Sequence, residues 1–197
     1  YGYEGYFDGF AQKKYYLGYH ADNRIRRESS SGGVCKTLII DSLKNGMVDG
    51  AYSLKCTDSF PFAQGEFYTR EHIPSFGDMP NSVYHSVMAC TEIDRIQPCK
   101  RLMLVGTACQ LRALNSIIKD KCDEVVRVCI FCKQQKTLDS TRFLAKMMGT
   151  SVPPNLKFRP RYRGDGWPGI VRVDGFELPY SRAAQIPFGK RLWTVPG

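Results

Sequence analysis

The chain has 197 residues, of which 43% are hydrophobic and 24% charged, and its net charge is +9. This balance is ordinary for a soluble globular protein and excludes a disordered tail, a collagen-like repeat and a coiled coil. Strongly apolar runs such as Leu38-Ile39-Ile40 are only a few residues long, and because roughly 20 such residues are needed to cross a bilayer, we predict no membrane span.

The first part of the chain predicts a strand, a turn, a helix and a second strand. Residues 15–21 are rich in aromatic side chains and predict the first strand. The turn 29–33, with the sequence SSSGG, leads into a run whose apolar spacing predicts a helix that stops at Gly46. Residues 48–54 predict the second strand.

The alternation of strands and helices continues in the rest of the first 150 residues. The middle region is less regular, and we expect extended segments there at 60–68 and 84–89. Residues 101–105 form a compact apolar run typical of a buried parallel strand. A helix, a second buried strand at 125–131 and a further helix at 138–148 follow. This alternation predicts an α/β fold with a mostly parallel sheet flanked by helices.

The C-terminal part differs in pattern and in charge. Residues 156–180 are typical of extended strands joined by glycine- and proline-rich turns, so we expect an α/β domain at 1–152 and the start of a smaller, β-rich domain at 153–197. Residues 157–197 hold eight basic and three acidic residues. Such a surface recruits nucleic acid, a phosphate-bearing cofactor or an acidic partner, although a merely solubilising face is the alternative.

The eight cysteines favour a reducing, cytoplasmic setting over a framework of disulfides, because they lie in apolar, strand-like runs and no secretory signal precedes them. Most are expected to be small buried residues. Cys129 and Cys132 have CxxC spacing, but no second pair follows at zinc-finger spacing. On a strand, those two side chains would point to opposite faces.

The first candidate site is the turn 29–33. Serine hydroxyls and glycine amides at a helix start direct hydrogen-bond donors at one spot, and the helix dipole adds partial positive charge. Ser30, Ser31, Gly32 and Gly33 could therefore cradle the diphosphate of a nucleotide cofactor. The alternative is an ordinary serine-capped helix, and the sequence matches neither GxGxxG nor a Walker loop.

The second candidate site is a pair of cysteines at the ends of two predicted strands. Cys109 follows the strand 101–105, and Cys132 ends the strand 125–131. A right-handed crossover would put both strand ends at one edge of the sheet, where open α/β sheets bind ligands. Two thiols there could share a metal or cluster, and a four-cysteine iron–sulfur site would need further ligands. Topology alone favours the alternative, two unrelated buried cysteines.

The third candidate site is the arginine-rich stretch 159–169, which includes Arg163 and Trp167. Arginines with an aromatic residue could bind nucleic acid through backbone contacts and stacking. They could equally hold an anionic cofactor while Trp167 packs on a ring. The alternative is a β-hairpin turn with exposed basic flanks.

Four motifs, taken in order, resemble the coenzyme F-420 hydrogenase/dehydrogenase beta-subunit family. They are the SSGG turn within 22–50, "LMLVGTACQLRAL" (102–114), "VCIFCKQQKTLDSTRFL" (128–144) and "YRGDGWPG" (162–169). The chain has Ala108 where the family pattern commonly has proline. It starts without an initiator methionine or a ferredoxin-like CxxCxxC segment and ends where relatives usually run on into further cysteines, so we expect a piece truncated at both ends.

The resemblance implies an iron–sulfur flavoprotein oxidoreductase subunit with FAD and a 4Fe-4S cluster. It implies that the turn binds flavin and that the two strand-end cysteines are cluster ligands, with the remaining ligands beyond Gly197. No side chain is assigned as a catalytic acid or base. The residues expected to contact a cofactor are Ser30, Ser31, Gly32, Gly33, Thr107, Arg163 and Trp167, and those expected to bind metal are Cys109 and Cys132.

The expected partners follow from the same resemblance. Coenzyme F-420 or another hydride donor would supply electrons, and the acceptor would be a partner redox protein. The variant "FCKQQKT" looks like a branch found near polysaccharide-biosynthesis enzymes, which are the other candidates for the partner. The competing hypothesis is a non-catalytic basic interaction or nucleic-acid-binding module, which would bind polyanions in a salt-sensitive way. It leaves the SSGG turn and the strand-end cysteines unexplained, so nucleic acid is not the expected partner.

Overall fold

The computed structural model describes residues 14, 16–59, 61–83, 85–118, 120–132, 135–147, 161–163, 170–173, 176–179, 182 and 194–195. The helices are α1 (Asn23–Glu28), α2 (Val34–Lys44), α3 (Ala108–Ile118) and α4 (Leu138–Met147), with a short 3₁₀ helix at Ile93–Arg95. The strands are β1 (Gly50–Cys56), β2 (Ala63–Thr69), β3 (Cys99–Thr107), β4 (Cys122–Ile130), β5 (Gln135–Lys136), β6 (Arg161–Arg163), β7 (Ile170–Val173), β8 (Phe176–Pro179) and β9 (Thr194–Val195).

The central sheet has the strand order β2-β1-β3-β4. β1 and β3 are parallel, as are β3 and β4, whereas β2 runs antiparallel to β1. The predicted α/β fold with a mostly parallel sheet is therefore confirmed. β2 is the exception because the connection at residues 57–62 is too short for the crossover that a parallel neighbour needs.

The core lies on both faces of this sheet and follows the alternation of β3. Leu102 and Leu104 pack in one buried cluster with side chains of α3. Met103 and Val105 pack in a second buried cluster with side chains of α2. Since neighbouring side chains of a strand point to opposite faces, each fully buried one stabilises its own layer by about 1.5–3 kcal/mol. The two helices that carry the candidate sites are thereby fixed on opposite faces of the sheet.

Residues 16–20 form no regular secondary structure, so the strand predicted at 15–21 is wrong over that part, and Tyr15 lies outside the described residues. The segment runs beside the turn 29–33 instead, where the backbone N–H of His20 donates to the carbonyl oxygen of Gly32 at 2.8 Å. Tyr16 and Leu17 are exposed. Their apolar character therefore does not mark the face of a strand.

The predicted helix after the turn is confirmed, beginning at Val34 and ending at Lys44, with Gly46 in the left-handed region at φ 64°. Helix α1 was not predicted, because it is short and has no buried residue that could set an apolar period. It begins where the Asp22 carboxylate accepts the N–H of Arg24 at 2.7 Å, an ordinary N-cap.

The strand β2 confirms the extended segment expected at 60–68 over residues 63–68. Residues 61–62 form a turn instead, with Phe62 at φ 63°, and Phe60 lies outside the described residues. Over 85–89, the described part of the extended segment expected at 84–89, no strand forms, and Met88 makes an isolated bridge to Gln64. Tyr84 lies outside the described residues.

β3 confirms the strand expected at 101–105, which is buried over 102–105. β4 confirms a strand over 125–130, but its expected burial is wrong, because every residue of β4 is half-buried or exposed at the edge of the sheet. The helix expected at 138–148 is confirmed as α4 up to Met147, and Met148 lies outside the described residues. The helix stop expected at Gly149 lies outside the described residues.

The few residues described beyond 153 lie mainly in short strands, in agreement with the sequence pattern. β6, β7 and β8 form an antiparallel sheet in that order, and β5 pairs with β9. Because β5 precedes residue 153 and β9 follows it, that pairing crosses the expected boundary, and the division into 1–152 and 153–197 stays a prediction. Within the described parts of the chain, each helix is too short or too polar to cross a membrane.

Candidate functional site

The two glycines of the turn 29–33 have a backbone conformation that other residues rarely adopt. Gly32 has φ 72° and Gly33, the N-cap of α2, has φ 80°. A Cβ on Gly32 would lie 3.2 Å from Cβ of Tyr19 and 3.3 Å from the carbonyl oxygen of Gly18. A Cβ on Gly33 would lie 3.0 Å from the Ser29 hydroxyl. The fold therefore requires both glycines, whatever the turn binds.

Gly32→Val is expected to destabilise the fold itself. Valine is a β-branched residue and an outlier at positive φ, a strain of about 1–3 kcal/mol, and its Cβ would press on the segment at Gly18. Urea denaturation would measure the lower free energy of unfolding. The matched control is Gly77→Val, because Gly77 is exposed, has no positive φ, and a Cβ there would meet only the Ser75 hydroxyl at 3.7 Å. Equal stabilities of the two variants would contradict this account of Gly32.

The serines of the turn have different roles. The buried Ser29 hydroxyl donates to the carbonyl oxygen of Ile25 at 2.8 Å and so ends α1 rather than capping α2. Helix α2 has no side-chain cap at Gly33, so the serine-capped helix of the alternative interpretation is not the structure found. The Ser30 hydroxyl is half-buried and accepts the backbone N–H of Ser82 at 3.1 Å. Ser31 is exposed and is the serine most accessible to a ligand.

Basic side chains lie close to this turn. The Lys36 ammonium, in the first turn of α2, donates to the carbonyl oxygens of Phe76 and Met79 at 3.1 and 2.6 Å. The Arg26 guanidinium lies 4.8 Å from the centre of the Tyr19 ring. Together with the positive end of the α2 dipole, these charges favour an anion at the turn. Lys36 and Arg26 were not among the residues predicted from the sequence, although a lysine three residues past a glycine turn, at a helix start, is a usable signal.

The turn lies on the side of the sheet where the parallel strands end. The backbone N–H of Cys56, the last residue of β1, donates to the carbonyl oxygen of Asp78 at 2.7 Å. The next residue, Met79, accepts the hydrogen bond of Lys36. The loop around residue 78 therefore bridges the carboxyl end of β1 and the first turn of α2. Because β1, β3 and β4 are parallel, the turn and the ends of β3 and β4 share one edge of the sheet.

Cys109 and Cys132 lie at this same edge. Thr107, the last residue of β3, is paired in register with Ile130, the last residue of β4. Each cysteine follows its strand end by two positions, on neighbouring strands about 4.8 Å apart, and both are exposed. The register agrees with the prediction that both cysteines lie at one edge of the sheet. Their role as cluster ligands stays a prediction.

The segment that carries Cys109 is held by short local contacts. The backbone N–H of Thr107 donates to the side-chain oxygen of Gln110 at 2.9 Å. A Cβ on Gly106 would lie 3.1 Å from that oxygen, so the glycine leaves room for the fold-back of Gln110. The Thr107 hydroxyl lies 3.2 Å from the Cys109 sulfur, and either atom can be the donor. If Cys109 is a thiolate, Thr107 is placed to donate to it.

The expectation that most cysteines are buried is wrong. Four are half-buried and four are exposed, and all eight are free thiols. The main reason is that β4 lies at the edge of the sheet and several cysteines lie at strand ends. Burial raises the pKa of the Cys35 thiol in α2, which makes it a poor ligand. Among the described residues, no three histidine, cysteine or acidic side chains form a group that could hold a metal, so Cys109 and Cys132 fit a 4Fe-4S cluster only as part of its ligand set.

The candidates of the third site are described only in part. Arg163 is the last residue of β6 and is paired in register with Ile170 of β7. Trp167 lies outside the described residues. Their roles in cofactor binding stay predictions.

Residues 15–72 match the family model described as "Coenzyme F420 hydrogenase/dehydrogenase, beta subunit N-term". The family resemblance is confirmed over this segment. The matched segment contains the turn 29–33, helix α2 and the hairpin of β1 and β2. No curated protein is significantly similar in sequence to this chain.

Among solved structures, the chain is similar to a chain of the F420-reducing [NiFe] hydrogenase complex from Methanosarcina barkeri, from a xenon-derivatization study, with a TM-score of 0.64 and 16% sequence identity. The similarity covers 91% of this chain and 62% of that chain. At this identity the likeness shows a shared fold. It also shows that this chain spans less than two thirds of the length of that relative.

Proposed function

We propose that this chain is part of a cytoplasmic iron–sulfur flavoprotein oxidoreductase subunit that passes electrons between a soluble hydride carrier, coenzyme F-420 or a similar compound, and a partner protein. The family match and the shared fold support a role in electron transfer. The observation that carries the proposal is that one edge of the sheet gathers the turn 29–33 and the two strand-end cysteines, Cys109 and Cys132. Electron transfer from a flavin to a cluster requires such proximity.

The bound cofactors would supply the redox chemistry, a flavin exchanging a hydride for single electrons and a cluster carrying them onward, while the protein supplies position and electrostatics. In this proposal the turn holds the diphosphate of FAD. Ser30 and Ser31 offer hydroxyls, and the start of α2 beyond Gly32 and Gly33 offers backbone N–H groups and a positive dipole end. Lys36 adds a positive charge that is fixed to the loop by its two hydrogen bonds.

The two strand-end thiols have a separate role in this proposal. Cys109 and Cys132 would bind one 4Fe-4S cluster as thiolates, together with ligands from outside the described residues. Thr107 would donate a hydrogen bond to the Cys109 sulfur, from its position at 3.2 Å. Hydrogen bonds to cluster sulfurs raise the reduction potential, so Thr107 would tune the cluster rather than bind it.

The basic C-terminal segment also has a role in this proposal. Arg163 and Trp167 would contact the anionic cofactor or the partner protein. The partner would be another redox subunit or an enzyme of polysaccharide biosynthesis. The solved relative comes from a multi-subunit hydrogenase complex, which supports a partner protein in preference to nucleic acid.

The test of this proposal is the absorption spectrum of the full-length protein purified without oxygen. We expect flavin bands together with a broad iron–sulfur absorption that bleaches on reduction, and released FAD and iron that can be counted per mole of protein. A colourless protein that lacks both flavin and iron, and does not take them up on reconstitution, would contradict the proposal.

A further inference from the structure

Two half-buried cysteines, Cys99 and Cys122, lie in contact at the opposite edge of the sheet from the candidate site. They are the first residues of β3 and β4 and are paired directly in register. Their sulfur atoms are 3.4 Å apart, although the residues are 23 positions apart along the chain. Both pack against the buried cluster on the α3 face. Nothing in the proposed electron transfer uses this pair.

Contacts before and after the cysteine pair stabilise the strand pairing that brings the two sulfurs together. The backbone N–H of Cys99 donates to the carbonyl oxygen of Lys121 at 3.2 Å. Two positions further along, the Arg101 guanidinium and the Glu124 carboxylate form an ion pair at 2.7 Å, and they too are register partners. The contact between the sulfurs is therefore a consequence of the register of two long strands.

The geometry fits a disulfide better than a metal site. Neighbouring strands are about 4.8 Å apart, within the range of about 4.4–6.8 Å between Cα atoms that a disulfide spans. The sulfurs must approach by only about 1.4 Å to reach the bond length. Within the described chain no third histidine, cysteine or acidic side chain joins the two sulfurs in a group suited to a metal.

We propose that Cys99 and Cys122 are a redox modification site, at which a reversible disulfide links the amino ends of β3 and β4. This inference does not depend on the proposed function. The oxidant that forms this disulfide is a peroxide, for example hydrogen peroxide.

The reaction begins at Cys122. Burial, followed by the hydrogen bond and charge of Cys122, raises the pKa of Cys99 to about 12. Burial therefore keeps Cys99 a thiol at neutral pH, and in the proposed sequence of steps the sulfur of its register partner, Cys122, attacks the peroxide. One oxygen is transferred to form a sulfenic acid, and one water leaves.

The second step joins the two residues. The Cys99 sulfur attacks the sulfenic sulfur, so the S–S bond forms, the S–O bond breaks, and the hydroxyl leaves as water with the Cys99 proton. In total two thiols lose two electrons and two protons, and one hydrogen peroxide becomes two waters. A dithiol such as dithiothreitol reverses the linkage by thiol–disulfide exchange.

The disulfide would stabilise the half of the sheet that leads to the candidate site. It closes the segment that contains β3 and α3, and so restricts the unfolded chain. It would also fix the register of the two strands whose far ends carry Cys109 and Cys132. We expect the oxidised protein to unfold at a urea concentration about 1 M higher than the reduced protein.

The experiment treats the full-length protein with hydrogen peroxide, blocks the remaining thiols with N-ethylmaleimide and maps non-reduced tryptic peptides by mass spectrometry. The sequence helps, because trypsin releases Cys99 in peptide 96–100 and Cys122 in peptide 122–127, each with one cysteine. We expect these two peptides to be recovered as a linked pair that dithiothreitol separates. Cys99→Ser and Cys122→Ser should each abolish the pair and the shift in the urea midpoint.

Cys90→Ser is the matched control, because Cys90 is exposed and lies outside both strands. It should leave the linked pair and the midpoint shift unchanged. Recovery of both peptides unlinked, after a peroxide treatment that oxidises Cys90 in the same sample, would overturn the proposal. So would linkage of Cys99 or Cys122 to other cysteines in preference to each other. The mapping of the wild-type protein decides the matter even where a variant fails to fold.

Discussion

Replacing Cys109 or Cys132 by serine in the full-length protein is expected to remove most of its iron and the iron–sulfur absorption. Both thiols are exposed at the ends of register-paired strands, and a hydroxyl is a much poorer ligand for iron than a thiolate. Because neither side chain belongs to the buried core, the free energy of unfolding of the metal-free protein should hardly change. Iron analysis, the absorption spectrum and urea denaturation together measure the effect.

The controls for this prediction come from the same sheet. Cys129 is exposed on β4, three residues before Cys132, and is paired in register with Gly106. Strand alternation predicts that it points away from the cluster. Cys129→Ser and Cys90→Ser should therefore keep their iron. Full iron content in both Cys109→Ser and Cys132→Ser would exclude these residues as ligands, whereas loss of iron in all four variants would indicate a general effect of thiol removal.

Local patterns were sufficient to predict the central part of the fold. The run at 102–105 is apolar at every position because this part of β3 is buried on both faces, with Leu104 in one cluster and Met103 in the other. The helix α2 could be predicted in the same way, because Gly46 in the left-handed region marks its end. Such features can be predicted from neighbouring residues, because burial and backbone conformation restrict which residue type fits at each position.

Contacts between distant segments could not be predicted from those patterns. The loop at Phe76 and Met79 contacts α2 because two of its backbone carbonyl oxygens accept hydrogen bonds from the Lys36 ammonium. Backbone acceptors belong to every residue, so no sequence pattern marks such a contact. The contact between Cys99 and Cys122 likewise depends on the exact register of β3 and β4. The spacing of cysteines along the chain could not reveal this pair, because the two residues are close only across strands.

The turn 29–33 shows how one residue type can be explained in two ways. The sequence suggests that Gly32 and Gly33 admit a phosphate to the backbone. In the structure both have positive φ, and the space of their missing Cβ atoms borders Tyr19 and Ser29. The glycines are therefore required for folding, and substituting them cannot test binding. A test of the turn needs a residue that the fold does not use.

Ser31→Asp is expected to weaken FAD binding by about tenfold or more while leaving the fold intact. Ser31 is exposed and lies three positions before the first residue of α2. A carboxylate there would repel the diphosphate that we propose for this turn, and a repulsion of about 1.4 kcal/mol corresponds to a tenfold loss of affinity. The same carboxylate near the positive end of a helix dipole is neutral or favourable for folding. The folding and binding effects of this substitution therefore have opposite signs.

The measurement is fluorescence titration of the flavin-free protein with FAD, alongside urea denaturation of each variant. Ser31→Asn is the matched control, because asparagine has nearly the shape of aspartate without its charge and should bind FAD like the wild type. Ser86→Asp adds the same charge at another exposed serine and should also bind normally. Raising the salt concentration should reduce the difference between the Asp and Asn variants, since the repulsion is electrostatic and partly screened. Equal FAD affinities of Ser31→Asp and Ser31→Asn at low salt would mean that the diphosphate lies elsewhere.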